Sequence, residues 1–231
     1  KTSDNMGNYF GAAEEGRYLS GMAAGARSES GTIGYVAAFP IPEVLRGINA
    51  FTLGAREINP EATVQGVWTS TWFDPPTEGD AAQALLDAGA DVIAMHQDSS
   101  APGQAAEAAG AGWVGYNTDM SEFAPEGWLT AAIWDWGPYY LATAEAVQAG
   151  TWAPQAYYGT MADGMVAIAP FGPSVTEETQ ALNAERQAHI IDASIAVFPD
   201  PIVNQASNEQ PLGDIFRMDY FVEGVIGSPS G

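Results

Sequence analysis

Two residue types are wholly or almost missing: the chain has no cysteine, and its one lysine is Lys1. The first absence removes disulfide frameworks, thiolate zinc sites and cysteine nucleophiles together. The second removes the lysine of a phosphate-cradling P-loop and the desolvated interior lysine of a Schiff-base enzyme. Positive charge is scarce in general, with 7 Lys+Arg against 29 Asp+Glu and a formal charge of -22. Such a chain repels phosphate backbones and anionic headgroups, which excludes nucleic acid and polybasic membrane attachment and leaves neutral or cationic partners. The sequence has no uninterrupted apolar run of about 18 residues, and no basic stretch leading into an apolar one opens it, so neither a membrane span nor a signal peptide is read. The carboxylate surplus suits saline surroundings, where a hydrated acidic surface stays soluble.

What is present is material for a core: 46% hydrophobic residues, with 7 Trp, 9 Tyr and 9 Phe. That content separates the chain from disordered acidic sequences. Tyr18, Leu19, Met22 and Ala23 recur at helical spacing over 12–26, with Glu14 and Glu15 where the macrodipole favours them. The apolar run 32–38 reads as a strand buried on both faces. Pro42 then suits a first helical position, and Val44, Leu45, Ile48, Phe51 and Ala55 carry the helix to Asn59-Pro60. Strands at 62–69, 91–96, 112–116 and 128–133 alternate with helices at 79–88 and 101–109, with 74–78 as a lead-in to the former. Strand starts recur roughly every 20 to 30 residues, as in right-handed βαβ units. Residues 31–133 thus read as one α/β layer structure. Beyond it come a helix from Gly137-Pro138 through Val147, a strand or hairpin over 157–169 around Asp163-Gly164, and a helix over 177–193. The tail from Pro199 is punctuated by Pro and Gly with weak periodicity.

Ligands of open parallel sheets bind outside the carboxyl ends of the strands. The residues there are Phe39; then Trp72 and Phe73; then His96 and Asp98; then Asn117 and Asp119; then Trp134, Asp135 and Trp136. Each loop offers an aromatic ring, a carboxylate or an amide. Rings that stack and acceptors that pair with a ring edge fit a planar, polar, uncharged heterocycle. The bland alternatives stand beside this: Trp72 and Phe73 as caps of the sheet edge, His96 as a hydrogen-bonded structural residue, and the aspartates as turn or N-cap residues. Asp98 and Asp119 also suggest an acid/base pair, which defines the competing reading of an α/β enzyme. No Ser-His-Asp or metal spacing surrounds His96, so no metal, cofactor or catalytic residue is assigned.

Asn8-Tyr9-Phe10, Glu14 to Gly21, Ile33 to Val36, Phe39 to Arg56, Trp72 to Pro75, Gly89 to Ile93, Gly115 to Asp119 and Asp163 to Val166 follow one another as in the basic membrane protein family. The chain resembles this class of ABC-transporter substrate-binding proteins, which is similar to the purine nucleoside receptors. The resemblance implies an α/β, periplasmic-binding-protein type I fold of the ribose-binding kind, with two lobes of parallel sheet flanked by helices. It implies a non-enzymatic receptor that takes a purine-type heterocycle between the lobes, docks on an inner-membrane ABC permease, and works in the periplasm or at the cell surface, lipid-anchored in its full-length form. Family members normally extend further at the N-terminus, so the first lobe is expected to be incomplete and binding by this chain alone weak. On that reading residues 1–30 end the first pass through lobe one, 31–133 form lobe two, and 134–231 return to complete both. The resemblance implies that nucleoside-binding relatives usually carry, at the position of Trp134, a lysine that helps hold the sugar. Its replacement by an indole points to a ligand without the sugar, an adenine-like base, with nucleoside, riboflavin or sugar as alternatives.

Overall fold

The computed structural model describes residues 2–231; Lys1 lies outside the described residues. Its elements in chain order are β1 (Asn8–Gly11), α1 (Ala13–Arg27), β2 (Thr32–Ala37), α2 (Pro42–Ile58), β3 (Thr63–Trp68), α3 (Pro75–Asp87), β4 (Val92–His96), α4 (Ala101–Ala108), β5 (Gly112–Asn117) and β6 (Trp128–Trp134). They continue with α5 (Gly137–Gln148), β7 (Ala156–Gly159), β8 (Val166–Ile168), α6 (Glu177–Ile191), β9 (Ile202–Val203), β10 (Glu209–Gln210) and β11 (Val225–Ile226).

One seven-stranded sheet runs in the order β11-β3-β2-β4-β5-β6-β8. All its pairings are parallel except that of β6 with β8. The central strands are buried on both faces because each face meets helices. In β2, Ile33 and Tyr35 join a core with Val44, Leu45, Ile48 and Phe51 of α2. Val36 joins the opposite core with Leu85 of α3 and Ala106 of α4. Helix α1 packs backbone to backbone on α2, since a Cβ on Gly54 would lie 1.9 Å from the Tyr18 carbonyl oxygen and one on Gly21 2.0 Å from that of Phe51. The seven-stranded layer draws on chain outside 31–133, because β8 and β11 join the sheet and α1 packs on α2.

Three sequence expectations change. Helix α3 begins at Pro75 rather than at 79, because Asp74 accepts from Thr77 N at 3.3 Å while Glu78 accepts from Asp74 N at 2.7 Å, a reciprocal cap. The segment 157–169 is no hairpin: β7 pairs in parallel with β1 in a separate two-stranded sheet, whereas β8 pairs with β6. Asp163 accepts from Thr160 N and Oγ1, both at 2.8 Å, so the turn closes on its own start and sends the chain to the other sheet. The tail forms an antiparallel β9–β10 pair and the edge strand β11. Its path is fixed by a side chain that no periodicity reveals, the buried amide of Asn49, which donates to Tyr220 O at 2.8 Å and accepts from Val222 N at 3.0 Å.

Candidate functional site

Strand β2 lies between β3 and β4, and the sheet then grows through β5 to β6 on the β4 side. The loops leaving β2 and β4 therefore part in opposite directions, and the crevice between them is where doubly wound sheets take ligands. Phe39 and the first turn of α2, with Glu43, come from β2; His96 closes β4, and Asp98 follows it.

The Trp72 loop is tied across this crevice. Asp98 N donates to Trp72 O at 3.0 Å. The Gln97 amide donates to Thr71 O at 3.0 Å and Trp72 O at 3.2 Å while its oxygen accepts from Thr69 Oγ1 at 2.5 Å. The indole is 38% exposed, 5.3 Å from the Phe39 ring and 6.1 Å from His96 between centroids. Asn117 ends β5 in a left-handed conformation, φ 68°. Its oxygen accepts from Trp134 Nε1 at 2.6 Å and its amide donates to Asp98 Oδ1 at 3.3 Å. Burial, and then the charge of Glu43, raises the Asp98 carboxyl above its ordinary range.

Beneath this rim lies a polar layer. His96 is buried and stacks obliquely 4.0 Å from Tyr116. Its Nε2 is 3.6 Å from Glu43 Oε1, too long for a hydrogen bond, and Tyr116 OH donates to the same oxygen at 3.3 Å. Burial pushes the imidazole down to about 4, so it is neutral at pH 7; Glu43 only partly opposes this. Burial would raise Glu43, yet His96, Tyr116 and Arg46 together outweigh it and hold the carboxyl below its ordinary value. Arg17 is fully buried behind them, 4.3 Å from the Tyr116 ring centroid, and donates to Gly115 O at 3.4 Å. The ring face provides part of the solvation that burial removes.

The sequence candidates divide accordingly. Phe39, Trp72, Asp98 and Asn117 meet at the crevice. His96 belongs to the layer below, without the surface a ligand would touch. Trp134 is no free stacking platform, since Trp136 lies against it at 4.8 Å and 25°, Phe10 meets it edge-on at 5.4 Å, and a Cβ on Gly11 would fall 2.5 Å from its Cζ3. Asp119 and Asp135 close turns, Oδ1 accepting from Ser121 N at 2.9 Å and from Gly137 N at 3.2 Å respectively. Asp98 is thus bonded to Asn117, not paired with Asp119 as an acid/base reading requires. Phe73 projects 64% exposed from its loop. Glu43 was not among the sequence candidates, because an acidic residue behind Pro42 reads as ordinary first-turn chemistry. A cavity of about 530 Å³ lies away from these residues, between α5 and β7, lined by Tyr139, Trp152 and Tyr157 among others; of the sequence candidates only Asp135 reaches it. Among the described residues no group of three or more His, Asp or Glu could hold a metal ion, and no helix is long and apolar enough to cross a membrane.

A doubly wound sheet with rings and carboxylates gathered at its switch point, beside a second small parallel sheet, defines a solute-binding protein of the periplasmic-binding-protein-like class. The family described as ABC transporter substrate-binding protein PnrA-like, or Bmp, matches residues 1–198. The chain belongs to that family, whose members are transporter binding proteins and not enzymes. It is 44% identical over 98% of its length to a putative ABC transporter glucose-binding protein of Haloferax volcanii, and 40% identical over 97% to a purine-binding protein of Brucella abortus. It spans 57% and 66% of the length of those two relatives. Its fold is similar to that of an ABC transporter solute-binding protein from Conexibacter woesei, with a TM-score of 0.67 and 22% identity over 84% of this chain and 66% of that one.

Proposed function

We propose that this chain forms the ligand-binding part of an extracytoplasmic receptor that delivers a purine-type base, adenine-like, to an ABC permease. The observation that carries the reading is the grouping of a half-exposed indole, Trp72, with the Asp98–Asn117 pair at the switch point. The indole offers one face for stacking, and the carboxylate accepts ring-edge N–H groups in charge-assisted hydrogen bonds. The name of the Brucella relative agrees with this ligand class. A free base is favoured over a nucleoside because Trp134, at the position where the resemblance to nucleoside-binding relatives implies a lysine, spends its N–H on Asn117 and its ring on Trp136. It has no charge to offer a ribose diol.

Phe10 and Tyr158 are paired in the small β1–β7 sheet, and on this reading that sheet belongs to a second lobe that closes over the ligand. Titration calorimetry of the full-length protein with adenine and adenosine tests the reading. Adenine is expected to bind; micromolar or tighter binding of adenosine with none of adenine overturns it. The 44% identity to a protein named for glucose supports a second reading, a sugar stacked on the same indole. Saturable binding of glucose with none of adenine establishes that one instead.

A further inference from the structure

We propose that Glu43 is a specificity-determining residue that contacts the ligand and selects heterocycles carrying an exocyclic amine. The inference rests on the purine reading above and assigns that site its third polar contact. Glu43 stands in the first turn of α2, directly after the loop that leaves β2, and so forms one bank of the crevice whose other bank carries Asp98. Its side chain is 27% exposed, buried enough to be held in place and open enough to be met. The inner oxygen, Oε1, accepts from Tyr116 OH at 3.3 Å, and the His96 ring packs beneath it with Nε2 3.6 Å away. His96 is 1% exposed, and neither of its ring nitrogens has a hydrogen-bond partner. His96 therefore limits how far the carboxylate can move inward without using up either of its oxygens. Among the described residues no donor reaches Oε2, which leaves it to accept from outside.

Two carboxylates facing one opening repel each other, and the Asp98 carboxyl registers the charge of Glu43. A ligand with an exocyclic amine presents two N–H groups in its plane, gives one to each of Asp98 and Glu43 and relieves that repulsion. A base whose edge presents a carbonyl there places acceptor against acceptor and is rejected.

The test is calorimetry on the full-length protein and its Glu43→Gln variant with adenine and with unsubstituted purine, which lacks the amine. Gln keeps the shape and an oxygen for Tyr116. The expected result is adenine binding weakened tenfold or more, with purine binding changed much less, so that the preference for adenine narrows. Equal weakening of both ligands, or no change in either, overturns the proposal and leaves the purine reading standing. A parent protein that binds neither base overturns the purine reading, and this inference falls with it. Tyr116→Phe separates support from contact: it removes the hydrogen bond to Oε1, keeps the carboxylate, and is expected to weaken both bases by a similar factor while the preference for adenine survives. Its collapse in that variant overturns the direct contact.

Discussion

Glu14 and Arg46 form a buried ion pair joining α1 to α2, and breaking it by one side or both gives a signed, quantitative outcome. Arg46 Nε donates to Glu14 Oε2 at 3.1 Å, with the two side chains 4% and 7% exposed. Tyr158 OH from β7 lies 3.0 and 2.9 Å from the two carboxylate oxygens, so the pair also ties the small sheet to the large one. Arg46 reaches Ile215 O at 3.4 Å and lies 5.3 Å from the Phe216 ring. Arg46→Met leaves a buried carboxylate with only a phenol to solvate it, and Glu14→Leu leaves a buried guanidinium with one long carbonyl contact. Each single change is expected to cost about 3 to 5 kcal/mol, most of it from the stranded charge. The double variant Glu14→Leu/Arg46→Met strands neither charge and is expected to cost no more than either single one, a coupling of about 3 kcal/mol or more. Urea unfolding followed by far-ultraviolet circular dichroism measures all four proteins, with unchanged slopes required for the comparison. Additivity of the two single changes to within about 0.5 kcal/mol refutes the reasoning, because then neither charge depends on the other.

Burial drives the Glu15 carboxyl up from 4.5 to about 7, with the Glu14 and Asp163 charges adding to it against the hydrogen bond from Met161 N. The folded state then holds a proton that the unfolded chain releases, so this contribution to stability is complete below pH 4.5 and is lost as pH rises through about 7. His96, pushed down from 6.5 to about 4, has the opposite slope: its contribution is lost as pH falls from 6.5 through about 4. Thermal melts should therefore show Glu15→Gln gaining on the parent at pH 8 but not at pH 4, and His96→Gln losing less of its stability than the parent between pH 7 and pH 4; a parallel shift at all pH values rejects either assignment. Gly54→Ala places a Cβ 1.9 Å from the Tyr18 carbonyl and must force α1 from α2. A loss of about 3 kcal/mol is expected in chemical denaturation, and a loss below about 0.5 kcal/mol shows that the helices part without resistance.

The layer from β2 to β6 was legible because each element carries its own local signal. Pro42 and the spacing of Val44, Leu45, Ile48 and Phe51 define α2, and the run after Gly31 defines a strand buried on both faces. What stayed hidden depends on partners distant in sequence. Strand β7 has four residues and acquires its identity from pairing with β1, nearly 150 residues earlier. Strand β11 has two residues and no amphipathic pattern to show. The candidate site was half legible for the same reason. Strand ends could be located, which places Trp72, Asp98 and Asn117 in strand-end loops, but strand order could not, and strand order makes Glu43 a neighbour of His96. Trp134 looked like a ligand platform because its sequence neighbours do not reveal that Gly11 and Phe10 pack on its ring.

The net charge of -22 gains a direction once the arginines are placed. Arg17 and Arg46, the two nearest the crevice, are both buried, one against the Tyr116 ring and the other on Glu14. Arg56 pairs with Glu223 and Arg186 with Glu57. The cations near the mouth are thus spent inside the fold, while Asp98, Asp119 and Asp135 remain exposed along the carboxyl edge of the sheet. A ligand approaching that edge meets a negative field, which slows anions such as nucleotides and leaves neutral bases unaffected. Salt that screens this field over roughly 8 to 10 Å weakens its repulsion of an anion and leaves a neutral molecule unaffected. Once salt screens that field, a ligand's charge is sensed only by short-range groups, and on the proposed function Glu43 and Asp98 are the carboxylates that would sense it.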